Sequence, residues 1–143
     1  IAGLAESAVK MYDNLSENVR KMSDAKKRFT EGILEIENTV VNGPAAEEEG
    51  AAPHVVNASF IGVRSEVLLH SLEDRGIYVS AGSACSSHKR TPSATLSAIG
   101  CGQDRLESNL RFSFCETTSE EEIDETVRAL AELVPVLRRY KRH

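Results

Sequence analysis

Along the first thirty positions apolar residues recur at steps of three and four: Ile1, Leu4, Ala8, Met11, Leu15, Val19, Met22, Ala25 and Phe29. That spacing lines them up along one side of an α-helix, so a single long helix with one apolar face is predicted. No Gly or Pro interrupts it between Gly3 and Gly32, and Gly32 is read as its stop. Thirty helical residues extend roughly 45 Å, more than a small domain needs. Residues 1–32 are therefore expected to bridge to a further, larger domain, with residues 33–143 forming a domain of their own.

Downstream the period changes. Residues 33–41 are rich in β-branched side chains and end at the turn pair Asn42-Gly43, which predicts a strand. Residues 44–53 lack either period and read as a surface loop, and residues 55–63 read as a second strand. A helix follows, with Ser65 as its cap, Glu66 in its first turn, Val67, Leu68, Leu69 and Leu72 on its buried face and Gly76 at a left-handed end. Residues 77–79 predict a brief strand that leads into S-A-G-S-A-C-S-S-H-K-R, residues 80–90, a loop with almost nothing to anchor it and expected to be mobile. Thr91 is expected to cap a helix starting at Pro92 and ending at Gly100, with Leu96 and Ile99 on its apolar side. The run N-L-R-F-S-F, residues 109–114, alternates. It sends Leu110, Phe112 and Phe114 to one face of a strand and Arg111 and Ser113 to the other. Ser119 and Glu122 form a capping box for a last helix carrying Ile123, Val127, Leu130, Val134 and Leu137, which Pro135 is expected to kink. The fold class this order predicts is α+β: a small, mainly antiparallel sheet with helices packed on one face.

Composition narrows the function. With 143 residues and 41% apolar content the chain fits one globular domain. Its 17 Lys and Arg against 22 Asp and Glu leave a net charge of −5, which opposes non-specific nucleic-acid binding. The basic residues from Arg138 to His143 follow the last helix, where they complement its dipole. No apolar run approaches the roughly 18 residues of a membrane span, and no signal-peptide pattern opens the chain. The chain starts at Ile1 and is read as a piece of something longer. Cys85, Cys101 and Cys115 are odd in number and follow no disulfide or metal-ligand spacing, so a reducing, cytoplasmic setting is expected.

Two residues stand out for chemistry. Cys85 sits among Ser83, Ala84, Ser86 and Ser87, a setting for an exposed thiol rather than a core one, and the positive charge of His88, Lys89 and Arg90 would favour thiolate if the loop folds back. Arg111, on the strand face opposite the core, can grip a carboxylate through two parallel hydrogen bonds or form a salt bridge with an acidic neighbour. Spacing leaves both open. Cys101 and Cys115 read as ordinary small side chains. A docking module in which Cys85 is incidental, and a cysteine hydrolase pairing it with His54, His70 or His88, are the competing readings.

The segment Ser80 to Ser87, the Thr91-Pro92-Ser93 that follows it, and Leu110-Arg111-Phe112-Ser113 resemble the C-terminal part of the NifS/IscS-type cysteine desulfurases. These are pyridoxal-phosphate enzymes of the class V aminotransferase fold family. The opening I-A-G-L-A-E-S-A, Val41-Asn42-Gly43, V-N-A-S-F at 56–60 and T-S-E-E-E-I-D at 118–124 extend the resemblance over nearly the whole chain, in the family's order. The long stretch between Cys85 and Arg111 resembles the subgroup whose cysteine rides on an extended, mobile loop.

The resemblance implies the C-terminal small domain of a fold-type I enzyme that converts L-cysteine to L-alanine. Cys85 matches the persulfide-forming nucleophile, and Arg111 matches the residue that holds the substrate's α-carboxylate. A homodimer is implied, with an acceptor protein such as an iron–sulfur scaffold as the sulfur's destination, or another route to a thio-cofactor. Selenocysteine lyase is an alternative within the same family. The pyridoxal 5'-phosphate lysine of the family belongs to a preceding large domain, in a segment of the type S-x-H-K-x-x-G-P-K-G. Ser86-Ser87-His88-Lys89 imitates its start, but Arg90-Thr91-Pro92-Ser93 lacks the glycine and second lysine. Lys89 is therefore not read as the cofactor lysine, and this chain alone is expected to be inactive.

Overall fold

The computed structural model describes residues 2–45, 48, 50–81 and 93–140. The long N-terminal helix is divided at Asn14 into α1, Ala2–Asp13, and α2, Leu15–Leu34. Helix α2 does not stop at Gly32. A Cβ there would lie 2.9 Å from Val127 Cγ1 on the last helix, so the glycine lets two helices approach closely rather than ending one. The stripe is buried only toward its C-terminal end, at Ala25, Phe29 and Ile33, whereas α1 buries nothing and Leu4 is 78% exposed.

After α2 the chain turns through Asn38, whose φ of 52° is the left-handed conformation that asparagine tolerates better than most residues. The first strand consequently starts later than its β-branched stretch predicts. Ile33 lies in the last turn of α2 and Ile36 in the turn that follows it, and β1 spans only Thr39–Asn42. Strand β2 is Val55–Phe60, β3 is Ser80–Ala81 and β4 is Asn109–Ser113. They form one sheet in the order β1-β2-β4-β3, with every neighbouring pair antiparallel. Residues 77–79, predicted to be a strand, precede β3 without pairing.

The α+β architecture follows from the two faces of this sheet. One face carries Val56, Ala58, Phe60, Leu110 and Phe112, all buried, against Phe29 and Ile33 of α2, Leu68 and Leu72 of α3 (Ser65–Glu73), and Ile123, Leu130 and Val134 of α6 (Glu120–Arg139). Phe29 bridges Phe112 and Phe114, with ring centroids 4.6 and 5.5 Å apart. Details of the helices differ from expectation. The cap position of α3 belongs to Arg64, while Ser65 donates its hydroxyl to Glu107 O at 2.8 Å, and Val67 is exposed. Gly76 does adopt a positive φ, 76°, after the helix. Ser93, not Thr91, caps α4 (Ala94–Ala98), its hydroxyl accepting from Leu96 N; Leu96 is buried and Ile99 is exposed. The Ser119–Glu122 capping box opens α6 as predicted, and the helix continues through Pro135 to Arg139.

A short helix that the sequence does not announce, α5 (Gln103–Glu107), lies against the opposite face of the sheet. Its last four carbonyls, normally orphaned at a helix end, each accept from a side chain: Asp104 O from Ser108, Arg105 O from Ser59, Leu106 O from Asn109 and Glu107 O from Ser65. Five residues are too few to hold a helix by themselves. These side chains hold it.

Candidate functional site

The face of the sheet turned away from the core is polar, because strand alternation puts Asn57 and Ser59 of β2 beside Asn109, Arg111 and Ser113 of β4. Asn42 Nδ2 donates to Asn57 Oδ1 at 2.6 Å and to Ser59 Oγ at 2.8 Å, and Asn57 Nδ2 donates to Asn109 Oδ1 at 3.2 Å. Arg105 completes the network from α5, donating through Nε to Asn42 Oδ1 at 2.8 Å and through a terminal nitrogen to Val41 O at 3.2 Å. Buried polar groups are stable when satisfied in this way.

Arg111 stands at the edge of the network. It is exposed, paired across β4 with Asn57 on one side and with Ser80 on the other, and Ser80 Oγ accepts from its Nη2 at 3.4 Å. Among the described residues no carboxylate forms an ion pair with it, and its hydrogen-bond partner there is the neutral Ser80. The strand that pairs with Arg111 is β3, and β3 leads straight into the segment that holds Cys85. Cys85 itself, the loop residues 82–90 with His88 and Lys89, and Thr91-Pro92 lie outside the described residues.

The other two cysteines differ from each other. Cys101 is buried with its Sγ 3.8 Å from Asn42 Oδ1, as befits a small packing residue. Cys115 is exposed. The Thr117 hydroxyl, 3.1 Å away, favours its thiolate most, helped by Thr118 and the Thr117 backbone, and together they hold the thiol below the ordinary cysteine range against burial and the nearby Glu116. Of the histidines weighed for a hydrolase, His54 is exposed just before β2, and His70 is spent on Glu73, with Nδ1 2.7 Å from Oε2.

A separate cavity of about 350 Å³ opens between residues 75–79, the end of β4 and the start of α6, floored by Phe29, Phe112 and Phe114 and rimmed by Tyr78 and Thr118. It does not include Arg111. The described residues hold no cluster of His, Cys, Asp and Glu suited to a metal, and none of their helices is long and apolar enough to cross a membrane. Lys10, Lys21, Lys26 and Lys27 all lie on α1 or α2; α2 packs on the core face, and Lys26 donates to Ala52 O at 3.0 Å. Sequence reasoning missed Asn57, Ser80 and the asparagine network. The alternation of V-V-N-A-S-F contains the signal for the first, since it puts Asn57 on the face of Arg111.

Comparison with known proteins gives this arrangement a family. Residues 1–126 match the aminotransferase class-V family model. The mitochondrial cysteine desulfurase of Eremothecium gossypii is 39% identical over 141 residues, covering 96% of this chain and 27% of that protein. The cysteine desulfurase IscS of Pseudomonas putida GB-1 is 38% identical over 149 residues, 99% of this chain and 35% of that protein. Among solved structures, a NifS-like protein shares the fold with a TM-score of 0.72 at 23% identity, over 88% of this chain and 30% of that one. A cysteine desulfurase from Thermococcus onnurineus NA1, in its apo form, aligns with a TM-score of 0.68 at 25% identity, over 86% of this chain and 27% of that one. The chain thus spans about a third of the length of the curated relatives it matches. The chain therefore belongs to the aminotransferase class-V family, and the curated relatives it resembles are cysteine desulfurases.

Proposed function

We infer that this chain is the C-terminal small domain of a pyridoxal-phosphate-dependent cysteine desulfurase, with residues 1–32 bridging to the large domain. The observation that carries the reading is Arg111: an exposed guanidinium on a rigid strand, with the neutral Asn57 and Ser80 as its cross-strand partners, on the ladder that leads to Cys85. The uncovered apolar residues of α1 and early α2 support the bridging role, since Leu4, Met11, Leu15 and Val19 are all exposed.

In this reading Arg111 grips the α-carboxylate of L-cysteine through paired, charge-assisted hydrogen bonds and so orients the substrate sulfur. The Cys85 thiolate attacks that sulfur. A sulfur–sulfur bond forms, the bond from sulfur to the substrate's β-carbon breaks, and its electron pair stays on the carbon, which takes up a proton to yield L-alanine. Pyridoxal phosphate, held by residues outside this chain, supplies the electron sink. The persulfide on Cys85 is then carried to an acceptor protein such as an iron–sulfur scaffold. Cys85 lies four residues beyond Ala81, a tether of roughly 14 Å at full extension, which gives it reach from the Arg111 ladder. A homodimer in a reducing compartment, the cytoplasm, completes the proposal.

The test is product analysis with the full-length protein: L-alanine formed from L-cysteine in step with sulfur delivered to a thiol acceptor. Hydrolase activity without alanine would contradict it.

A further inference from the structure

We propose that Asn57 is a positioning residue for the anion site at Arg111, keeping the guanidinium free of any carboxylate from its own sheet. The inference rests on Arg111 as the residue that holds the substrate carboxylate. Asn57 sits directly opposite Arg111 in the β2–β4 register, a relation that brings two Cβ atoms within about 4.5–5.5 Å. Ser80 is the opposite neighbour on β3, and Asn109 and Ser113 are the neighbours two residues before and after on β4. All four positions are uncharged. That is unlike the surroundings of four other surface arginines in this acidic chain: Arg20 meets Glu17 and Asp24, Arg28 meets Glu120 and Asp124, Arg64 meets Glu66, and Arg75 meets Glu132.

Neutrality alone would not keep Asn57 from capping the guanidinium, since an amide oxygen is a good acceptor. The network prevents this. Asn57 Oδ1 is engaged by Asn42 Nδ2 at 2.6 Å, and Asn57 Nδ2 is engaged by Asn109 Oδ1 at 3.2 Å, so the amide is held at both ends and cannot turn to Arg111 without breaking both bonds. Asn42 is fixed in its turn by Arg105, whose guanidinium is consumed within the network. Two arginines thus serve the same face in opposite ways. Arg105 binds the scaffold, and Arg111 is left for a ligand. An aspartate at position 57 would have nearly the same shape and would put a carboxylate beside Arg111, both neutralising the cation and repelling the carboxylate of the incoming substrate.

Steady-state kinetics of the full-length enzyme with L-cysteine tests this with a double-mutant cycle. Asn57→Asp should raise KM about tenfold or more with a much smaller change in kcat, and should add much less in an Arg111→Ala background, where no cation remains to neutralise and only the repulsion between carboxylates is left. Ser113→Asp, at an exposed position outside the network, provides a second variant should Asn57→Asp fail to fold. It should raise KM in the same direction by a smaller factor. If the soluble acidic variants leave KM unchanged while Arg111→Ala raises it, or if Asn57→Asp and Arg111→Ala act additively, the role of Asn57 is overturned and that of Arg111 stands. An unchanged KM in Arg111→Ala would instead remove the reading on which the proposal rests.

Discussion

Arg111 and Ser80 face each other in the β3–β4 ladder, and the only hydrogen bond of the Arg111 guanidinium among the described residues is a long one, 3.4 Å, to the Ser80 hydroxyl. A neutral partner at that distance leaves the positive charge nearly intact. In the full-length enzyme, Arg111→Ala is expected to weaken apparent L-cysteine binding by about 2 to 4 kcal/mol, the worth of a bidentate, partly desolvated contact to a carboxylate. Thermal stability should change little, because the side chain is exposed. Kinetics and a melting curve on the same protein check both halves.

The approach of α2 to α6 gives a second prediction. Gly32→Ala gains up to about 1 kcal/mol of helix propensity, but its new methyl would lie 2.9 Å from Val127 Cγ1, on a stiff β-branched side chain, where overpacking costs about 1–3 kcal/mol. The variant is expected to melt lower than the wild type. In a Val127→Ala background, where the obstructing methyls are gone, the same substitution is expected to raise the melting temperature. Denaturation of the four proteins measures the coupling.

Thiol labelling should separate two of the cysteines. Cys115 is exposed and its thiolate is favoured by the Thr117 and Thr118 hydroxyls, whereas Cys101 is buried. Because a lowered pKa means more thiolate at a given pH, Cys115 should alkylate readily and keep reacting as the pH falls below the range where a free cysteine slows. Thr117→Val should narrow that advantage. Cys101 should label only on unfolding. Peptide mapping after timed alkylation reads all three results.

Sequence alternation made the sheet legible where each strand has one wet and one dry face. Leu110, Phe112 and Arg111 lie as N-L-R-F-S-F predicts, and the Ser119–Glu122 cap opens α6 as predicted. Legibility failed where a long-range partner overrides a local signal. Gly32 looks like a helix stop until α6 is known to pass beside it. Residues 33–36 look like a strand, but Ile33 is drawn into the core at the end of α2. Helix α5 has no pattern of its own because four side chains from elsewhere satisfy its carbonyls. The same holds for the site. Arg111 could be picked out from its strand, but whether it was neutralised depended on which residues stand opposite, a matter of register between segments more than fifty residues apart in sequence.

The 143-residue chain by itself is expected to form no stoichiometric, borohydride-reducible adduct with pyridoxal phosphate and to release no sulfide from L-cysteine. The lysines described on it lie on α1 and α2, away from the face of Arg111. Absorbance and intact mass after reduction check this, and a single modified lysine in the chain would contradict it.

The central claim is that Cys85 receives the substrate sulfur. Mass spectrometry of the full-length enzyme after brief exposure to L-cysteine tests it most directly, by locating the added sulfur on a peptide. The account predicts one extra sulfur on the peptide containing Cys85, and none in a Cys85→Ser variant that still binds cofactor and L-cysteine. Sulfur found instead on Cys115, the other reactive thiol, or on Cys101, and persisting in Cys85→Ser, would contradict it.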